Sequence, residues 1–258
     1  MFSKRAYHEV NREERFYCFL LGHALLASPT ILERFKDLAR REIHVSLGDE
    51  APEVFVEVAA LRDYWNDLGD PEKYHHDTDA ARRQTLEAAL QVVNVSPSIL
   101  GEHDFFFTVP HRKLWSPGRW NVPDLMKGSD LGRNLQSLKW AFNCKPDMMI
   151  DCGGGPVLVI EAKVGSGEGR TSDGYVQCDV QETVVKLLKH LVPACANSQF
   201  TNTTLTLRGK DLRWADIEQI VADDAGVDSF TKRCFKRLAR ENADLDQYAP
   251  PAPLHPPA

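Results

Sequence analysis

The chain has 258 residues, 43% hydrophobic and 26% charged, with a formal net charge of −6 at neutral pH. That length and balance allow one sizeable core and exclude a fibrous or low-complexity chain. The negative charge argues against a surface that coats nucleic acid nonspecifically over its whole extent, while leaving room for a local basic patch.

The N-terminal MFSKRAYHEVNREER is charged, and the apolar FYCFLLGHALLA after it is too short to cross a bilayer. Neither a leader nor a membrane partner is therefore expected. Cysteines at 18, 144, 152, 178, 195 and 234 have no CxxC spacing and suggest neither a zinc site nor a disulfide framework. Free thiols in a reducing compartment are expected, and with them a cytoplasmic location.

The first element is a helix from about Val10 to Ala27, stopped by Ser28-Pro29. On a helical wheel Asn11, Arg15 and Gly22 mark its polar side, Glu13 points inward with Tyr17, Leu20 and Ala24, and Glu14 sits on the flank. ILERFKDLARREI, PEVFVEVAALRDYWNDLG and TDAARRQTLEAALQVV read as three further helices. VFVEV has the alternation to begin as a strand instead, and Thr78 or Asp79 is the expected cap of the last helix.

The period then changes. HDFFFTV reads as a strand and LGRNLQSLKWAF as a helix. PDMMIDC and PVLVIEAKV read as two strands of a hairpin turning through Gly153, Gly154 and Gly155. VGSGEGRTSDG is a glycine-rich loop. An amphipathic helix follows, its stripe made by Val180, Val184, Leu187, Leu188 and Leu191. TNTTLTLRG alternates as a strand, LRWADIEQIVAD is a helix starting near Asp211, and QYAPPAPLHPPA is a proline-rich tail without the means to pack. Strand, strand, helix, strand, helix with a helix upstream is an α/β layer arrangement.

Acidic residues and a lysine interrupt the hairpin. With side chains alternating along a strand, Asp147 shares a face with Met149 and Asp151, and Glu161 and Lys163 share a face with Val157 and Val159. The hairpin can thus bring Asp147 beside Glu161 and Lys163. Paired carboxylates make a hard oxygen site of the kind magnesium or manganese prefers, with water and phosphate completing the coordination. Lys163 is suited to hold or deprotonate a water, or to neutralise charge that builds on a phosphate.

Pro146-Asp147, thirteen residues, then Glu161-Ala162-Lys163 resembles the signature of the PD-(D/E)xK nuclease superfamily, the restriction-endonuclease-like fold. The resemblance spans residues 145 to 207 and the N-terminal helix. It implies an αβββαβ core: a mixed central sheet flanked by helices, here with a helical N-terminal insertion or lobe. The implied metal ligands are Asp147 and Glu161, and Lys163 is the implied catalytic lysine. A glutamate from the first core helix commonly joins them; Glu13 is the first candidate and Glu14 the second. A glutamine on the helix after the lysine strand is also common, and Gln177 and Gln181 share a face there. In Q-x-x-x-Y members the second position is tyrosine, and Gln181 stands in its place.

The resemblance implies a magnesium-dependent endonuclease acting on DNA in restriction, antiviral genome defence or repair, with RNA as the alternative substrate and a homodimer as a frequent assembly. The competing reading is a catalytically silent scaffold that binds or regulates. The expected organisation is 1–27 first core helix, 28–110 helical accessory lobe or insertion, 111–240 nuclease core and 241–258 disordered tail. Three tryptophans, 115, 120 and 140, interleave with basic residues between 110 and 145, and Lys232, Arg233, Lys236, Arg237 and Arg240 form a basic helix. Both stretches suit phosphates or bases, and both also suit ordinary core and solvated faces. GSGEGRT lacks P-loop spacing, His75-His76 lacks further ligands, and the cysteines lack iron-sulfur spacing.

Overall fold

A computed structural model describes residues 14–69, 76–108, 113–121, 128–164, 177–207 and 209–247. Side chains of residues 76, 77, 177–179 and 240–247 fall outside that description. A five-stranded sheet in the order β1-β2-β3-β4-β5 divides the molecule. The strands are β1 (Glu53–Val56), β2 (Met148–Asp151), β3 (Val157–Ala162), β4 (Phe200–Thr206) and β5 (Leu212–Arg213). β1, β2 and β3 pair antiparallel, and β4 and β5 continue parallel to β3.

Helices pack on both faces. Met148, Ile150, Leu158, Ile160 and Ala162 point into a core built with α1 (Glu14–Ala27), α2 (Pro29–Glu42), α8 (Trp214–Val221) and α9 (Ser229–Gln247). Met149, Val157 and Val159 point into a second core. It is closed by α3 (Ala60–Asp67), α4 (His76–Val92), α5 (Ile99–Glu102), α6 (Asp130–Asn143) and α7 (Gln177–Leu191). Adjacent strand residues thus serve different cores, as the two-residue period requires. All five residues of the expected α7 stripe are buried. The five cysteines among the described residues with side chains are free thiols.

Several local expectations are corrected. VFVEV is a strand: Val54 and Phe55 pair with Ile150 and Met149, and sheet partners override the helical alternative. Residues 28–110 accordingly contribute α2 to one core, α3 to α5 to the other, and β1 to the sheet. Among the described residues HDFFFTV forms a single bridge, between Phe107 and Leu114, and Phe106 and Phe107 plug the second core. Thr78 and Asp79 lie inside the first turns of α4 instead of capping it. α8 starts at Trp214, since the Asp211 carboxylate accepts from the Thr204 amide and hydroxyl and holds its chain against β4. α9 continues through Gln247, into the segment read as tail.

The wheel placed Gly22 on the polar side of α1, yet it is buried, with a Cβ there meeting Val54 at 3.0 Å. The exposed stripe of α1 runs instead through Arg15, Phe19, His23 and Leu26. Among the described residues no single helix is long and apolar enough to cross a membrane. α1 and α2 pass that test only together, and they bend by 117° at their junction.

Candidate active site

The acids gather where the antiparallel ladder ends. The β2–β3 register pairs Met148 with Ile160, so one step further Asp147 stands across from Glu161. The β1–β2 register pairs Val56 with Met148, and one step further the Glu57 amide donates to the Asp147 carbonyl at 3.2 Å. On the other side Glu161 pairs with Thr204 of β4. Glu57, Asp147 and Glu161 therefore occupy one row across three strands.

Each side chain is fixed by a specific contact. Asp147 Oδ2 accepts the Ala162 amide at 2.8 Å, replacing the rung that a continuing strand would have made. Glu161 Oε2 accepts from Gln181 Nε2 at 2.6 Å, and its Oε1 pairs with Lys163 Nζ. The Lys163 main chain is held on both sides: its amide donates to the Leu205 carbonyl at 2.8 Å, and its carbonyl accepts from the Trp214 indole at 3.1 Å. Glu14, in the first turn of α1, accepts the Val164 amide at 3.2 Å. Helix α1, strands β2 and β3 and helix α7 thus converge on residues 161 to 164.

Sequence order and space agree for Asp147, Glu161, Lys163, Gln181 and Glu14. Of the two glutamate candidates the second is the one that meets the strand; Glu13 lies outside the described residues, as do the Gln177 side chain and the glycine-rich loop from Gly165. Glu57 was missed. Its signal was the strand alternation in VFVEV: Glu57 directly follows the paired residues of β1, as Asp147 directly precedes those of β2. Glu57 has φ 57°, a left-handed conformation unusual for a glutamate, and its carboxylate meets Arg15 Nε at 3.1 Å.

Among the tryptophans expected to interleave with bases, Trp120 is 1% exposed and packs edge-on to Trp65, Phe106 and Phe142. Trp115 lies under the Arg119 guanidinium, 5.0 Å from its ring centre.

The electrostatics follow from burial. Asp147 is 8% exposed and Glu161 5%. Desolvation pushes Asp147 up to about 6, with the Ala162 amide and the Lys163 charge pulling the other way. Desolvation, and then the Asp147 charge, pushes Glu161 up to about 7. Burial works against the Lys163 ammonium, but the hydrogen bond and charge of Glu161 prevail and hold its pKa above the ordinary lysine value. The nearby Cys18 and Cys144 thiols are raised chiefly by burial and then by the carboxylates, Cys144 to about 12, so both stay neutral.

The Asp147 and Glu161 carboxylates offer hard oxygen donors with spare negative charge, and Lys163 and Gln181 hold the Glu161 group in place. Among the described residues no three His, Cys, Asp or Glu side chains stand close enough to enclose an ion by themselves. A two-carboxylate site completed by water and phosphate fits magnesium, which rarely uses an all-protein cage. Compared with known proteins, the chain matches no protein-family model, no curated protein and no solved structure.

Proposed function

We propose that the chain is a metal-dependent nuclease of the PD-(D/E)xK type that hydrolyses phosphodiester bonds, with DNA as substrate. The observation that carries this reading is the meeting of Asp147, Glu161 and Lys163 at the end of the β2–β3 pair, with Gln181 and Glu14 bound to the same turn of chain. The element order supports it: α1, the antiparallel β1, β2 and β3, then α7, then β4 parallel to β3. That is the succession the resemblance implies, with α2 added between α1 and β1 and further helices between β1 and β2.

Asp147 and Glu161 would hold magnesium or manganese. When bound, the ion supplies a Lewis acid for the phosphate and lowers the pKa of a water. Asp147 has Oδ2 committed to the Ala162 amide, which orients Oδ1 as its donor. Gln181 fixes the Glu161 carboxylate through Oε2 and Lys163 engages its Oε1, so the two together would hold that carboxylate in place for the ion. Lys163 holds its proton firmly in this environment, and its role is therefore to orient the attacking water and to offset charge on the phosphate. Glu14 ties the first turn of α1 to the strand end and brings a further carboxylate to the site.

The test is incubation of purified protein with plasmid, linear duplex, single strands and RNA, with magnesium and then with EDTA. Cleavage of DNA that needs magnesium and disappears in Lys163→Ala is expected. Metal binding without cleavage of any of these would replace the nuclease with a binding or regulatory scaffold. Cleavage confined to RNA would change the substrate.

A further inference from the structure

Helix α9 is basic over its first twelve residues and acidic over its last seven, which hold Glu241, Asp244 and Asp246. Residues 229–240 contain five lysines and arginines and no carboxylate, against a chain total of 31 basic and 37 acidic residues. Helical spacing sorts them cleanly. Thr231, Cys234, Phe235 and Leu238 are buried, while Arg233, Lys236 and Arg237 lie on the exposed half. The only acid at its head is Asp228, whose carboxylate is engaged by the Phe230 amide and by the amide and hydroxyl of Thr231.

The cations do not stand alone. Phe230, in the first turn, is 50% exposed, and its ring lies edge-on to Phe16 with centroids 6.2 Å apart. Phe16 is two residues from Glu14, which reaches the end of β3. One turn further along α1, Phe19 is 63% exposed. The Phe16–Phe230 contact therefore sets the first turn of α1 beside the head of the basic face of α9. Phe230 to Arg237 covers about 10 Å of helix axis, enough to meet more than one phosphate of a strand.

From these features we infer that the outer face of α9, with Phe230 at its head, docks a nucleic-acid strand. The cations take the backbone phosphates, and the phenylalanine face offers a stacking platform for a base. The identity of the occupant rests on charge complementarity and exposed aromatics; its purpose, feeding a strand toward the site, rests on the nuclease reading. Stacking is tolerant of sequence and phosphate pairing is salt-sensitive, so the surface predicts affinity with little sequence preference.

The experiment is fluorescence anisotropy of a labelled single-stranded DNA oligonucleotide, in EDTA and over a series of salt concentrations. The proteins compared are the wild type, the triple variant Arg233→Glu/Lys236→Glu/Arg237→Glu, Phe230→Ala, and a control reversal on α2, Arg40→Glu/Arg41→Glu. The α9 reversal should weaken binding at least tenfold and reduce the salt slope by about 2 to 3, with thermal midpoint unchanged. Phe230→Ala should weaken binding about five- to tenfold at an unaltered salt slope. The proposal is overturned if the wild type has no affinity for the oligonucleotide, or if the α2 reversal does as much damage as the α9 one. It is also overturned if Phe230→Ala has no effect and heparin competes as well as DNA, which would make α9 a general polyanion surface. Cleavage kinetics on the same variants separate the two claims. A raised KM at constant kcat supports both. Cleavage with unchanged KM removes the docking surface alone, and α9-dependent binding without cleavage removes the nuclease alone.

Discussion

Asp147 is held by one amide hydrogen bond inside a site that resists its charge, and that tension is measurable. Asparagine keeps the shape and can still accept from Ala162, while it removes the repulsion on Glu161. Asp147→Asn is therefore expected to raise the stability of the metal-free protein at pH 8 by about 1–2 kcal/mol, read as a thermal midpoint several degrees higher. Cleavage should disappear in the same variant. A lower midpoint would mean that Asp147 is a structural ion-pair member and that burial does not strain it. The Arg15–Glu57 pair has 65% of the arginine side chain in solvent, so its contribution to stability is below about 1 kcal/mol. Its value lies in fixing the first turn of α1, next to Glu14. Glu57→Gln should leave the thermal midpoint within about a degree while weakening metal binding several-fold, and the swap Arg15→Glu/Glu57→Arg should restore it. Calorimetric titration of manganese reads both.

At the scale of elements, the hairpin shows why the sequence turns through three glycines. A Cβ on Gly48 would lie 1.3 Å from the Gly153 carbonyl oxygen, and one on Gly155 would lie 2.5 Å from the Gly48 amide nitrogen. The segment before β1 packs backbone to backbone against the β2–β3 turn, where the Glu50 amide also donates to Cys152 at 2.8 Å. Gly48→Ala should cost at least about 3 kcal/mol and lower expression of folded protein. Gly154→Ala, whose φ is 67° but which has open space, should cost only about 1 kcal/mol. Equal melting curves for the two would contradict this packing.

Legibility followed the same division. Asp147, Glu161, Lys163 and the α7 stripe could be read because strand and helix periods are local, whereas Gln181 was implied only by the resemblance. β1 read ambiguously because a four-residue strand gains its stability from β2, almost a hundred residues away. HDFFFTV shows the converse: it has strand composition but, among the described residues, pairs through one bridge alone. The role of Glu57 depended on the β1 pairing and could not be seen before it. The wheel sets Gly22 on the outer side of α1, but the glycine lies against Val54 of β1.

For the whole molecule, the buried acids couple folding to protonation. Glu161 titrates near an ordinary 4.5 when unfolded and near 7 when folded. Between those values the native state keeps a proton that the unfolded chain has lost, so stability falls as pH rises through the window and stays low above it. The raised pKa of Asp147 acts in the same direction. Magnesium should therefore raise the thermal midpoint more at pH 8 than at pH 5.5, where it must first displace protons. In metal-free protein Asp147→Asn/Glu161→Gln should flatten the decline between these pH values.

The most direct measurement is isothermal titration of manganese into wild type and Asp147→Asn/Glu161→Gln at pH 8. Saturable binding by the wild type that is lost in the double variant, with both proteins folded, is the predicted result. Equal binding by both, or none by the wild type up to millimolar metal, would contradict a cation site at the end of the β2–β3 pair.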